Sequence, residues 1–135
     1  MARNKDLDAI MRAFDAIPKE VRKPIRAALD KGADELTSRM RYLAPEDDGD
    51  LKRSIRKQAL SDVAVRVEAG GEATTRPVRE GVSATYDYSL GQEYGTADHP
   101  AQPFFWPSVR TLSKRVRRRV DRAIGKAVKE TWGKK

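Results

Sequence analysis

Apolar residues recur at helical spacing at both ends of the chain and alternate in its middle. Leu7, Ile10, Met11 and Phe14 predict a short amphipathic helix within residues 1–17. It closes near Ile17, because Pro18 disfavours helical geometry in the residue before it. From 19 to 43 the stripe is longer. Val21, Ile25, Ala28, Leu29, Gly32, Ala33, Leu36, Met40 and Leu43 return every three or four residues, which predicts one long helix. Pro24 either sits in its first turn or kinks it. Ala44-Pro45 ends it.

The pattern then changes period. In DVAVRVEA (62–69), Val63, Val65 and Val67 share one face, the mark of a half-buried strand. The preceding IRKQAL (55–60) reads either as its hairpin partner or as the tail of a helical turn. GGEATTRP (70–77) is a loop. GVSATYDY (81–88) alternates again, with Val82, Ala84, Tyr86 and Tyr88 on one face. Helical spacing resumes after Pro107 with Val109, Leu112, Val116, Val120, Ile124, Ala127 and Val128. The order predicts a single α+β domain over 1–135. A small antiparallel sheet of three or four strands, within 55–96, would pack against the long N-terminal helix and a C-terminal helix over 107–130.

Charge changes this picture at one end only. The chain carries 28 Lys and Arg against 20 Asp and Glu, a net +8. Residues 110–135 hold eleven of those bases and two of those acids, so this segment stands at +9 and the rest at −1. Such asymmetry points to an anionic partner, a nucleic acid or an acidic protein surface. The bases in question are Arg110, Lys114, Arg115, Arg117, Arg118, Arg119, Arg122 and Lys126. A phosphate-binding helix and the solvated side of a core helix are both open readings of them. No aromatic interleaves with these bases before Trp132, so a single-strand stacking platform is not indicated.

Other chemistry finds little support. The chain has no cysteine, which removes disulfides, thiol nucleophiles and cysteine-ligated zinc. His99 is the only histidine and reads as a solvated loop residue before Pro100. Glu46, Asp47, Asp48 and Asp50 crowd one turn, but an EF-hand loop with Gly49 at its sixth position would put Ala44 at the first. Those acids suit helix capping better. Phosphate-binding glycine motifs are absent. No enzyme activity, cofactor, metal or membrane span is expected. The first residues contain acids and lack the apolar run of a signal peptide, which suggests synthesis and assembly in the cytoplasm.

Two stretches carry a family resemblance. APEDDGDLKRSI (44–55) resembles the A-P-x-D-T-G-x-L-x-x-S-I signature of a tailed-phage family, that of siphophage and prophage proteins called neck, tail-completion, head–tail joining or minor tail proteins. Ala44, Pro45, Asp47, Gly49, Leu51, Ser54 and Ile55 fall on the pattern, and Asp48 replaces the usual Thr. The second signature, Y-A-x-x-V-E-F-G-T followed by A-Q-P-F-L-x-P-A, is similar to YSLGQEYGT (88–96) and AQPFFWPS (101–108). Tyr88, Glu93, Tyr94, Gly95 and Thr96 match in register, as do Ala101, Gln102, Pro103, Phe104 and Pro107. Gln92 stands where an apolar residue is usual, so packing there is expected to differ.

Physically, Gly95 permits a tight turn, and Pro100 and Pro103 stiffen the crossing into the last helix. Phe104, Phe105 and Trp106 would anchor that helix against the sheet or a neighbouring subunit, with Pro107 in its first turn. Asp47 and Gly49 would fix the exit of the long helix. The loop 70–80 and the wedge 98–107 are the candidate contact segments. The resemblance implies a structural protein of the virion neck, joining or completing the tail as part of a homo-oligomeric ring. Its partners would be a head-side connector and a tail-side tube or terminator, with packaged DNA a possible further contact. A tail terminator or minor tail component is the alternative within phages. A small DNA-binding protein is the alternative outside them; it predicts duplex binding by the free chain, where a neck component predicts weak or no binding.

Overall fold

A computed structural model describes residues 5–46 and 49–133. Its elements run α1 (Lys5–Asp15), α2 (Lys19–Leu43), α3 (Asp50–Ser54), β1 (Arg56–Ser61), β2 (Ala64–Glu68), β3 (Thr75–Pro77), β4 (Thr85–Asp87), α4 (Tyr88–Tyr94) and α5 (Phe105–Trp132). The class is α+β, as the pattern predicts.

The stripe on α2 buries Val21, Ile25, Ala28, Gly32, Ala33, Thr37 and Met40, all on one face. Pro24 lies inside the helix, which runs on through it. The helix stops at Ala44, whose extended backbone (φ −64°, ψ 134°) is what a following proline imposes. α5 lies antiparallel to α2. Leu36 and Leu43 of α2 share a core with Phe105 and Val109, whereas Val21 and Ile25 pack with Ala127. Midway the Val116 side chain of α5 sits against the α2 backbone at Gly32. A Cβ on Gly32 would stand 2.7 Å from Val116 Cγ1, so any larger residue there would force the Val116 side chain or the helix pair to shift.

The two readings of 55–60 resolve in favour of the hairpin. β1 pairs antiparallel with β2, Arg56 opposite Glu68 and Ala59 opposite Val65, with an irregularity before Ser61. β3 and β4 form a second antiparallel pair, Thr75 opposite Asp87. The four strands are thus two separate two-stranded sheets, not one. β3 ends on Pro77, which has no N–H to extend a ladder.

The strand expected over 81–88 shrinks to Thr85–Asp87, and Tyr88 opens a helix instead. The cause is local: the Asp87 side chain accepts the Ser89 N–H and caps α4, overriding the alternation. Tyr86, placed on the apolar face by the pattern, is exposed. Ile124 and Val128 of the last stripe are also exposed; at that end of α5 only Ala127 is fully buried.

The principal core joins Met40, Ala44, Leu51, Ile55 and Phe104, flanked by Val67, Tyr88 and Val109. Every element that bears a signature residue therefore meets in one place.

Candidate functional site

The first signature builds a corner. Gly49 holds φ +87°, a conformation open to glycine, and occupies the N-cap position of α3. The capping expected from the acidic turn does not come from this residue, which has no side chain to offer. Asp47 and Asp48 lie outside the described residues. Asp50, in the first turn, pairs instead with Arg53 and, at 2.6 Å, with Arg76. Leu51 and Ile55 point into the core. The Ser54 hydroxyl donates to the Leu51 carbonyl (2.6 Å) and accepts the Gly70 N–H (3.0 Å), which ties α3 to the loop after β2.

Asp87 holds the other side of that loop. Its carboxylate accepts the Gly71 N–H (2.8 Å), the Thr74 hydroxyl (2.5 Å), and both the N–H (3.0 Å) and the hydroxyl (2.6 Å) of Ser89. Burial pushes its pKa up, but hydrogen bonds from Ser89, Thr74 and Gly71 outweigh that and hold it below the ordinary aspartate value. A carboxylate with a depressed folded pKa adds stability at neutral pH and loses it as pH falls through the folded value. Asp87→Asn is therefore expected to destabilise the protein at about pH 7 and to matter progressively less toward about pH 3. Chemical denaturation of both proteins across that range checks this; a constant difference would mean that Asp87 acts through shape alone. This residue is missed by motif reading, although an Asp directly before an apolar residue is an N-cap signal.

The second signature closes the start of α5. The first N–H groups of any helix lack intrahelical partners, and Phe104, at the N-cap, offers no side-chain acceptor. Glu93, at the end of α4 and 8% exposed, supplies it. Its Oε1 accepts the N–H of Phe104 (2.9 Å) and Phe105 (2.7 Å), and its Oε2 that of Trp106 (3.2 Å). The negative charge also faces the positive end of the helix dipole.

The loop between is folded back to permit this. Thr96 N–H donates to the His99 carbonyl (2.9 Å), and Gln102 N–H to the Gln92 carbonyl (2.7 Å). Gly95 has φ +83°, and a Cβ there would stand 2.9 Å from the Ala101 nitrogen. His99 contributes backbone to this turn, and its N–H donates to the Thr96 hydroxyl (3.1 Å). Gln102 and Pro103 are exposed on the way into the helix, and Pro107 lies in its first turn.

The expected wedge divides. Phe104 is 1% exposed and belongs to the core, while Phe105 is half-buried. Trp106 points outward (45% exposed) and donates its indole N–H to the Tyr94 hydroxyl at 2.8 Å. Leu90 and Tyr94, 60% and 65% exposed, complete an outward ridge over the Glu93 corner. The two signatures face each other across a cleft of about 310 Å³, lined among others by Pro45, Leu51, Tyr88 and Thr96. The Arg76 guanidinium lies over the Tyr88 ring at 5.4 Å and reaches Asp50 behind it. The stretch 70–77, expected as a loop, instead carries β3; within the candidate contact segment 70–80, Gly70, Gly71 and Thr74 are tied down by Ser54 and Asp87, while Val78 is exposed.

The bases of α5 also divide. Arg119 pairs with Glu35 of α2, and Arg115 Nε lies 3.5 Å from the same carboxylate. Lys126 lies 4.0 Å from Glu130. Arg110, Lys114, Arg117, Arg118 and Arg122 are exposed. Among the described residues, no helix is long and apolar enough to cross a membrane.

Residues 8–95 match the HK97-gp10-like family, described as "Bacteriophage HK97-gp10, putative tail-component". No curated protein and no solved structure gives a match. The matched region includes the whole first signature and the second as far as Gly95, so it takes in the Ser54, Asp87 and Glu93 anchors. The chain belongs to the HK97-gp10-like family of phage tail components.

Proposed function

We propose that this chain is a structural, non-enzymatic protein of the phage neck, completing or joining the tail to the DNA-filled head as one member of a ring. The observation that carries this reading is the outward ridge of Leu90, Tyr94 and Trp106 on a corner locked by Glu93. The buried polar groups of both signatures bond to backbone and fix the shape of a surface. A rigid aromatic ridge in a polar setting is the composition of an interface anchor. Its partner in a ring is the next copy of the chain, through a head-to-tail contact that closes. The two faces of such a ring meet a head-side connector and a tail-side tube or terminator, and the protein resides in the virion after assembly in the host cytoplasm.

The test uses a phage deleted for the gene and complemented with Leu90→Asp/Trp106→Ala. Electron micrographs are expected to show unjoined heads and tails, while the isolated variant keeps the circular dichroism of the parent. Joined, infectious particles from the deletion itself would sink the neck reading. Joined particles from the double variant alone would move the ring contact to another surface.

A further inference from the structure

We propose that the solvent face of α5 binds the phosphate backbone of duplex DNA without reading its bases. Of the eight bases between Arg110 and Lys126, three have an acidic neighbour within the chain: Arg115 and Arg119 at Glu35, and Lys126 at Glu130. The other five have no acid within ion-pair distance among the described residues, although acids are plentiful elsewhere in the chain. Arg110, Lys114, Arg118 and Arg122 follow at four-residue steps and form one ridge, with Arg117 beside it. The ridge spans about 18 Å of helix at about 1.5 Å per residue. Asp121 is the single acid along it.

Three features favour DNA over an acidic protein. The ridge holds no exposed large apolar residue between Arg110 and Arg122, whereas protein interfaces are anchored by such residues. Four of its five cations are arginines, whose planar fork matches phosphate oxygens in bidentate fashion. The helix has no Asn or Gln, the residues that read adenine, and the ridge's arginines and lysine serve phosphates of any sequence; a comparison of two duplexes separates this backbone contact from guanine reading. α2 covers the opposite side of α5, leaving the ridge as its open face.

The inference goes beyond a place in the neck and is tested without particles. The purified full chain is titrated against two fluorescent duplexes of unrelated sequence, from about 50 to about 200 mM salt. Both duplexes are expected to bind equally. Log affinity should fall with log salt at a slope of about −4, a loss of about 250-fold over that range, leaving weak binding at physiological ionic strength. Arg118→Gln/Arg122→Gln is expected to make the slope shallower by about two. Absent binding at the low salt, or a clear sequence preference, would overturn the proposal. So would a slope unchanged in the double variant, or tighter binding to polyglutamate than to duplex. Weak binding at physiological salt is what a neck component predicts; tight binding there would instead be that of a free DNA-binding protein and would count against the neck reading, which the particle assay tests on its own.

Discussion

Phe104→Ala is expected to remove about 3–5 kcal/mol of stability, among the largest losses any single change in this chain would cause. The ring is 1% exposed and packs with Met40, Ala44, Leu51 and Ile55, so its removal opens a cavity where α2, α3 and α5 meet. The backbone around the cavity has little room to close in: Ala44 is held by the proline after it, and Ser54 ties the Leu51 carbonyl to the Gly70 N–H. Against a typical total of about 5–15 kcal/mol, the variant would stand close to unfolding at room temperature. A thermal melt should show a fall of about 10–20 °C. A fall of only a degree or two would mean that the site collapses around the loss and that the core is far more pliant than its burial indicates.

Glu93→Ala is expected to cost about 2–4 kcal/mol by a different route. It strands three N–H groups at the start of α5, in surroundings that are partly or fully buried. Glu93→Gln separates the parts of this effect. Its amide oxygen still serves Phe104 and Phe105, but its NH2 then confronts the Trp106 N–H, and the charge facing the helix dipole is gone. A loss of about 1–2 kcal/mol is expected for it. Because the cap and the Phe104 ring act on the same turn, Glu93→Ala/Phe104→Ala should lose less than the sum of the two by about 0.5 kcal/mol or more. Strict additivity in denaturant melts would show that cap and core act independently.

The long helices were legible because their stripes are long: α2 and α5 each repeat the apolar period over several turns, and their ends carry prolines. Short elements were less so. Alternation over GVSATYDY outlasts the strand because Asp87 and Ser89 make a cap whose bonds a period-two pattern does not register. The last stripe overruns its burial at Ile124 and Val128: at that end of α5 it is Ala127 that packs with Val21, Ile25 and Leu29 of α2. At the candidate site, Gly95 and the turn around it could be read from the sequence. The role of Glu93 could not. Local capping rules look three or four residues ahead, and its three donors lie eleven to thirteen residues away. The resemblance marked the position without its cause. Likewise nothing in the basic run singles out Arg119 as the base whose partner, Glu35, lies 84 residues earlier.

The Glu93 bond also limits where the chain can be divided. A fragment ending at residue 95, the limit of the family match, would keep the carboxylate and lose all three of its donors. It would also uncover Met40, Leu51 and Ile55 by losing Phe104. The matched region alone is therefore expected not to fold. Any shortened version meant to fold has to retain the first turns of α5.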